Sequence, residues 1–129
     1  MLEYLPGGTL FEEVKKTQSE RRRYDKPDEY RVCQNLMNAL EHLRSKRIVH
    51  RDLKLENILI RPATSNQEKG YVICDFGLAT WIDEETYIFE KCGTPGYIAP
   101  EILRAPKGEK IKIDCKADVF SLGCIFHVV

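Results

Sequence analysis

The chain has 129 residues, of which 43% are hydrophobic and 31% charged, enough for one domain, or part of one, with a packed core and a water-facing surface. Lys plus Arg equals Asp plus Glu at 20 each, which argues against a general nucleic-acid or membrane-surface binder, because both call for a basic footprint. Its five cysteines form no C-x-x-C pair and no zinc spacing with histidine, so they read as reduced thiols of an intracellular protein, cytoplasmic with the nucleus left open.

Residues 1–6 read as a short extended segment, and Pro6-Gly7-Gly8 is turn chemistry. Thr9 to Lys16 reads as a short helix. Gln18 to Asp25 is polar and holds Arg21-Arg22-Arg23, a run that fits a solvated inter-helix loop better than a phosphate site. Pro27 suits a first helical position. Val32, Leu36, Leu40 and Leu43 then recur at helical spacing, which predicts an amphipathic helix from about Pro27 to Lys46. Its apolar stripe reads as core.

Ile48-Val49, Ile58-Leu59-Ile60 and Tyr71-Val72-Ile73-Cys74 are short strand-like runs. The polar connection Arg61 to Gly70 makes the last two a β-hairpin. Residues 75–98 keep no steady period, and an irregular stretch that long is usually functional. Pro100 to Leu103 starts a short helix, and Ala105 to Gly108 is a loop. Lys116 to Val129 reads as a helix apolar on nearly every side, the pattern of a helix buried all round. Ser121, Gly123 and His127 interrupt it, and it falls short of the roughly 20 apolar residues of a membrane span. The N-terminus lacks the charged and apolar regions of a secretory signal.

Four motifs stand out, in this order: His50-Arg51-Asp52-Leu53-Lys54 with Asn57; Asp75-Phe76-Gly77; Gly93-Thr94-Pro95-Gly96-Tyr97-Ile98-Ala99-Pro100-Glu101; and Asp118-Val119-Phe120-Ser121-Leu122-Gly123. Each alone is a strand end, a charged turn or a helix start. Together, in order and in context, they resemble the large lobe of a eukaryotic protein kinase. The fold class expected is α+β, mainly α, a kinase-like large lobe with short β-hairpins, truncated at both ends. Residues 1–129 would then be a partial kinase domain, from the hinge to the start of the buried central helix.

The resemblance implies ATP and Mg²⁺ as cofactors and a protein Ser/Thr hydroxyl as substrate, with no nucleic acid or membrane partner. Phosphoryl transfer needs metal ligands, charge stabilisation and a positioned hydroxyl. By resemblance, Asp52 orients the hydroxyl, Asn57 and Asp75 ligate Mg²⁺, and Lys54 neutralises the transferring phosphate. Thr94 would bond Asp52 and Lys54, His50 would stack on Phe76, and Asp118 would anchor the loop backbone. Leu2 would be the gatekeeper, the backbones of Glu3 and Leu5 would bind adenine, and Leu59 would be its floor. Lys54 and Gly93-Thr94-Pro95-Gly96-Tyr97 point to the serine/threonine branch. The hinge-like Leu2 to Gly8 and Gly93 to Glu101 are most similar to the calcium/calmodulin-dependent group.

Where many kinases carry a phosphothreonine, this chain has Glu90, which would offer Arg51 a permanent negative charge. An unpartnered loop acid is an equal reading, and Thr86 and Tyr87 are alternative phosphorylation sites. The family's Gly-rich loop and lysine strand are not among these residues, so the remainder of the kinase domain is expected to be needed for activity. Glu101 would lack its family partner and stand as an unpaired buried charge. The competing function is a catalytically inactive kinase-like interaction module.

Overall fold

A computed structural model describes residues 3–22, 24, 26–82, 92–106 and 113–129. Thr9 opens helix α1 (Leu10–Ser19) with a reciprocal capping box: Glu12 N donates to Thr9 Oγ1 at 3.2 Å, and Thr9 N donates to the Glu12 carboxylate at 2.8 Å. These bonds hold the Glu12 carboxyl below its usual range. The predicted long helix is α2 (Lys26–Ser45), which buries Val32, Leu36 and Leu43.

Two small antiparallel sheets follow. Strand β2 (Ile58–Arg61) pairs with β3 (Gly70–Ile73), with Ile58 opposite Ile73 and Arg61 opposite Gly70, which is the predicted hairpin. Strand β1 (Ile48–Val49) pairs with β4 (Thr80–Trp81). No alternation marks Thr80-Trp81 in the sequence, and β4 was not expected. Its partner β1 lies far back in the chain, and Ile82 N donating to Arg47 O at 2.8 Å fixes the pairing. Helix α3 (Pro100–Arg104) starts on Pro100, and α4 (Lys116–Val128) closes the chain.

The main core joins Leu10 and Val14 of α1, Val32 and Leu36 of α2, the hairpin's Ile58, Ile60, Tyr71 and Ile73, and Leu122 and Ile125 of α4. Leu53 and Leu55 plug into it from the loop between β1 and β2. A second cluster holds Val49, Ala99, Ile102 and Ile113.

Two expectations are corrected. Helix α4 is buried on one face, that of Asp118, Ser121, Leu122 and Ile125, while Val119 is 53% and Phe120 41% exposed. Glu101 is exposed, because α3 turns Ile102 inward and Glu101 outward, so no unpaired charge is buried there. Arg21 and Arg22 are exposed, as a solvated loop requires. Leu2, Thr86, Tyr87 and Glu90 lie outside the described residues.

Candidate active site

The loop between β1 and β2 carries His50 to Asn57. A turn that leaves a strand this sharply exposes backbone N–H groups that need acceptors. Asp118 supplies them from the first turn of α4: His50 N donates to Asp118 Oδ2 at 2.7 Å and Arg51 N to Oδ1 at 2.9 Å. Burial pushes the Asp118 carboxyl up, and the two backbone donors pull partly against it. An Asp at the start of an apolar helix is thus hydrogen-bonded, as its burial demands.

His50 is fully buried. Its Nε2 lies 2.9 Å from Cys74 O, and Asp52 N donates to its Nδ1 at 3.3 Å, which fits the tautomer with its proton on Nε2. Its ring meets Phe76 edge-on, with centroids 4.9 Å apart. The His50–Asn57 loop and the Asp75-Phe76-Gly77 motif are therefore joined through one imidazole. Arg51 and Asp75 both have left-handed backbones, at φ 72° and 61°, a conformation that costs a non-glycine residue strain and clusters at functional sites.

Asp52, Lys54 and Thr94 form a closed triangle. Thr94 Oγ1 donates to Asp52 Oδ1 at 2.7 Å, Lys54 Nζ stands 2.9 Å from Asp52 Oδ2, and Lys54 Nζ donates to Thr94 Oγ1 at 2.9 Å. Burial alone would push the Asp52 carboxyl up, but hydrogen bonds from Lys54 and Thr94 and the charge of Lys54 outweigh it and leave it below the usual range. The same carboxylate raises Lys54 against the opposing effect of burial.

Asn57, buried in the 3₁₀ turn Leu55–Asn57, donates its amide to Asp52 O at 2.9 Å and Asp52 Oδ2 at 3.3 Å. That commits the nitrogen and leaves Oδ1 as the side-chain atom that could ligate a metal. Cys74 N donates to Asn57 O at 2.9 Å, so the end of β3 delivers Asp75 beside this turn. Asp75 is exposed, and its Oδ1 accepts from Gly77 N at 3.2 Å. Asn57 and Asp75 offer hard oxygens suited to Mg²⁺, a cation that takes only one or two protein ligands and keeps water and phosphate for the rest. No cluster of three His, Cys, Asp or Glu that could cage a metal occurs among the described residues.

The segment bearing Glu3 and Leu5 runs along β2. Glu3 is ion-paired with Arg61 at 3.0 Å, and Ile60 N donates to Gly8 O at 2.9 Å. Leu59 lies on the half-buried face of β2, opposite the core face of Ile58 and Ile60. The fold thus gathers Asp52, Lys54, Asn57 and Thr94 into one bonded group, ties Asp75 to it through β3, and runs the Glu3–Leu5 segment along the strand of Leu59.

Three positioning groups escaped the sequence reading. Cys74 acts through its carbonyl, which no side-chain pattern reveals. Asn35 on α2 accepts from Tyr71 N at 2.9 Å, steadying β3. Ser121 donates to Tyr97 O at 2.7 Å, tying the segment that bears Thr94 to α4; its position one helical turn after Asp118 was the available signal. Gly93 sits at φ 119°, and a Cβ there would stand 3.0 Å from Arg51 O, so the same segment rests against the backbone of the His50–Asn57 loop.

The family model described as "Protein kinase domain" matches residues 1–129. The chain belongs to the protein kinase domain family. It is 36% identical over its full length to "Probable serine/threonine-protein kinase fhkD" of Dictyostelium discoideum and 40% identical to "Probable serine/threonine-protein kinase fhkC" of the same organism. It is 37% identical over its full length to "Serine/threonine-protein kinase DCLK3" of Homo sapiens. The chain spans 18%, 20% and 18% of those relatives, respectively.

Proposed function

We propose that this chain is part of a serine/threonine protein kinase that transfers the γ-phosphate of ATP to a protein hydroxyl. The observation that carries the reading is the bonded group of Asp52, Lys54, Thr94 and Asn57. Asp52 is kept ionised, so it accepts the substrate hydroxyl's hydrogen bond, aims its oxygen at the γ-phosphorus and takes up its proton as the new P–O bond forms and the bond to the β–γ bridging oxygen breaks, releasing ADP. Lys54 offers its charge to the phosphoryl oxygens at the moment negative charge builds there. Thr94 holds both groups in register, so that little reorganisation accompanies the transfer.

Asn57 and Asp75 would hold Mg²⁺, which would supply positive charge to the phosphates. The Glu3 and Leu5 backbones would bind the adenine edge, and Leu59 would lie beneath its ring. The relative named DCLK3 and the likeness of the Gly93–Glu101 segment support the calcium/calmodulin-dependent group, and a cytoplasmic location agrees with the free thiols. The rest of the kinase domain would supply the groups that cover the phosphates.

The test is a radiolabelled ATP assay on a complete domain containing this chain and on residues 1–129 alone. The complete domain should phosphorylate a Ser/Thr peptide, Asp52→Asn should lower kcat by about 10²–10⁴-fold, and the 129-residue chain should show no turnover. Full activity in Asp52→Asn would sink the assignment. An inactive complete domain that still captures protein partners would favour the interaction-module reading.

A further inference from the structure

The segment Pro6 to Thr9 lies closer to β2 than a side chain allows. Gly8 O accepts from Ile60 N, and Thr9 forms an antiparallel bridge with Leu59. A Cβ added at Gly7 would stand 2.3 Å from Ile60 O and 2.9 Å from both Ile60 C and Cβ. The nearest of these is backbone of a strand whose other edge is held by β3, so it cannot swing aside as a side-chain tip could. Gly8 differs: its φ is 74°, and its Cβ would meet the flexible Glu12 carboxylate. Space therefore demands glycine at position 7, and conformation demands it at position 8.

The close approach bears on the hinge segment. Two ties to β2 bracket Leu5, the Glu3–Arg61 ion pair before it and the Gly8–Ile60 bond after it. The strand they hold to carries Leu59 between Ile58 and Ile60 on its half-buried face.

We propose, building on the kinase reading above, that Gly7 is a positioning residue that sets the width of the slot between the Glu3–Leu5 backbone and Leu59, where the purine of an adenine nucleotide sits. A methyl group at position 7 lifts the turn off β2, breaks the Gly8–Ile60 bond and carries the Leu5 backbone away from Leu59. The bonded group around Asp52 is untouched, so nucleotide binding suffers and the chemical step does not.

The experiment uses the complete kinase domain and reads four quantities: Kd for a fluorescent ADP analogue, KM for ATP, KM for a Ser/Thr peptide, and kcat. Gly7→Ala should raise Kd and KM for ATP about tenfold, leaving kcat and the peptide KM within about twofold. Pro6→Gly loosens the same turn without adding atoms, and should shift Kd in the same direction by about threefold. Lys15→Ala, an exposed change on α1 away from the turn and the site, should change none of these. If Gly7→Ala does not fold, Pro6→Gly decides alone. Unchanged ADP binding in a folded Gly7→Ala or in Pro6→Gly overturns the role of Gly7, as does a loss spread evenly over kcat and both KM values. A wild-type domain that neither binds the analogue nor transfers phosphate overturns the kinase reading, and this inference with it.

Discussion

Asp118 holds two backbone donors of the His50–Asn57 loop on one buried carboxylate. Asp118→Asn keeps the shape but turns an NH₂ group toward one of those donors. Leaving one buried N–H unsatisfied costs about 1–3 kcal/mol, and denaturant titration of the complete domain measures it. The variant also removes a pH dependence. The folded Asp118 pKa lies above its ordinary 3.8, so the native state holds the extra proton and stability falls as pH rises from 3.8 through the folded value. The asparagine form should lack that slope.

Asp52 has the opposite sign: its lowered pKa contributes stability that is fully present above 3.8 and lost as pH falls through the folded value. Lys54, raised, contributes below 10.5 and loses its contribution as pH rises through its folded value. The ion pair is therefore intact from 3.8 to 10.5. The acid limb of kcat/KM that reports Asp52 should lie below 3.8, and Lys54→Met should move it upward. An acid limb unmoved by Lys54→Met would show that Asp52 does not owe its low pKa to Lys54.

Among the elements, the hairpin is what carries Asn57 and Asp75, and α2 holds it through Asn35. Asn35→Ala strands Tyr71 N at a nearly buried residue and should destabilise the domain by about 1–3 kcal/mol. Thr9→Ala removes the cap of α1 and should cost about 0.5–2 kcal/mol. Thermal unfolding of both variants checks the two figures.

A polar hub braces the same elements from outside. Glu13 of α1 accepts from Tyr24 and from Tyr71 OH, and pairs with Lys69 at 2.7 Å. Burial is the main force that raises Tyr71, to about 12, so it stays protonated and donating at neutral pH. The helices and the hairpin were legible because their signals are local: a capping Thr, a 3.6-residue stripe, two β-branched runs around a polar turn. The motif residues were legible because their types and spacing are specific. Strand β4, Asn35 and the Glu13 hub were not, because each depends on a partner distant in sequence whose arrival no local period announces.

At the scale of the molecule, the buried face of α4 closes the core while its other face remains apolar and open. Val119, Phe120 and Val128 are 53%, 41% and 41% exposed, and Met37 of α2 is 53% exposed. Exposed apolar side chains in this number promote association. Sedimentation of the 129-residue chain should therefore reveal concentration-dependent oligomers, and Phe120→Lys should shift them toward monomer. A wild-type chain that stays monomeric at high concentration would contradict this. No helix among the described residues is long and apolar enough to cross a membrane.

The bond between Arg51 and Asp118 spans 67 positions of sequence. A ribosome adding about 5–20 residues per second needs about 3–13 s to cover that distance. Throughout that interval the nascent catalytic loop has been made but its anchor has not. His50 N–H and Arg51 N–H must stay hydrated, and the left-handed turn at Arg51 is made before its Asp118 anchor. The charged heart of the site is thus translated early and assembled late, when the first turn of α4 arrives to close it.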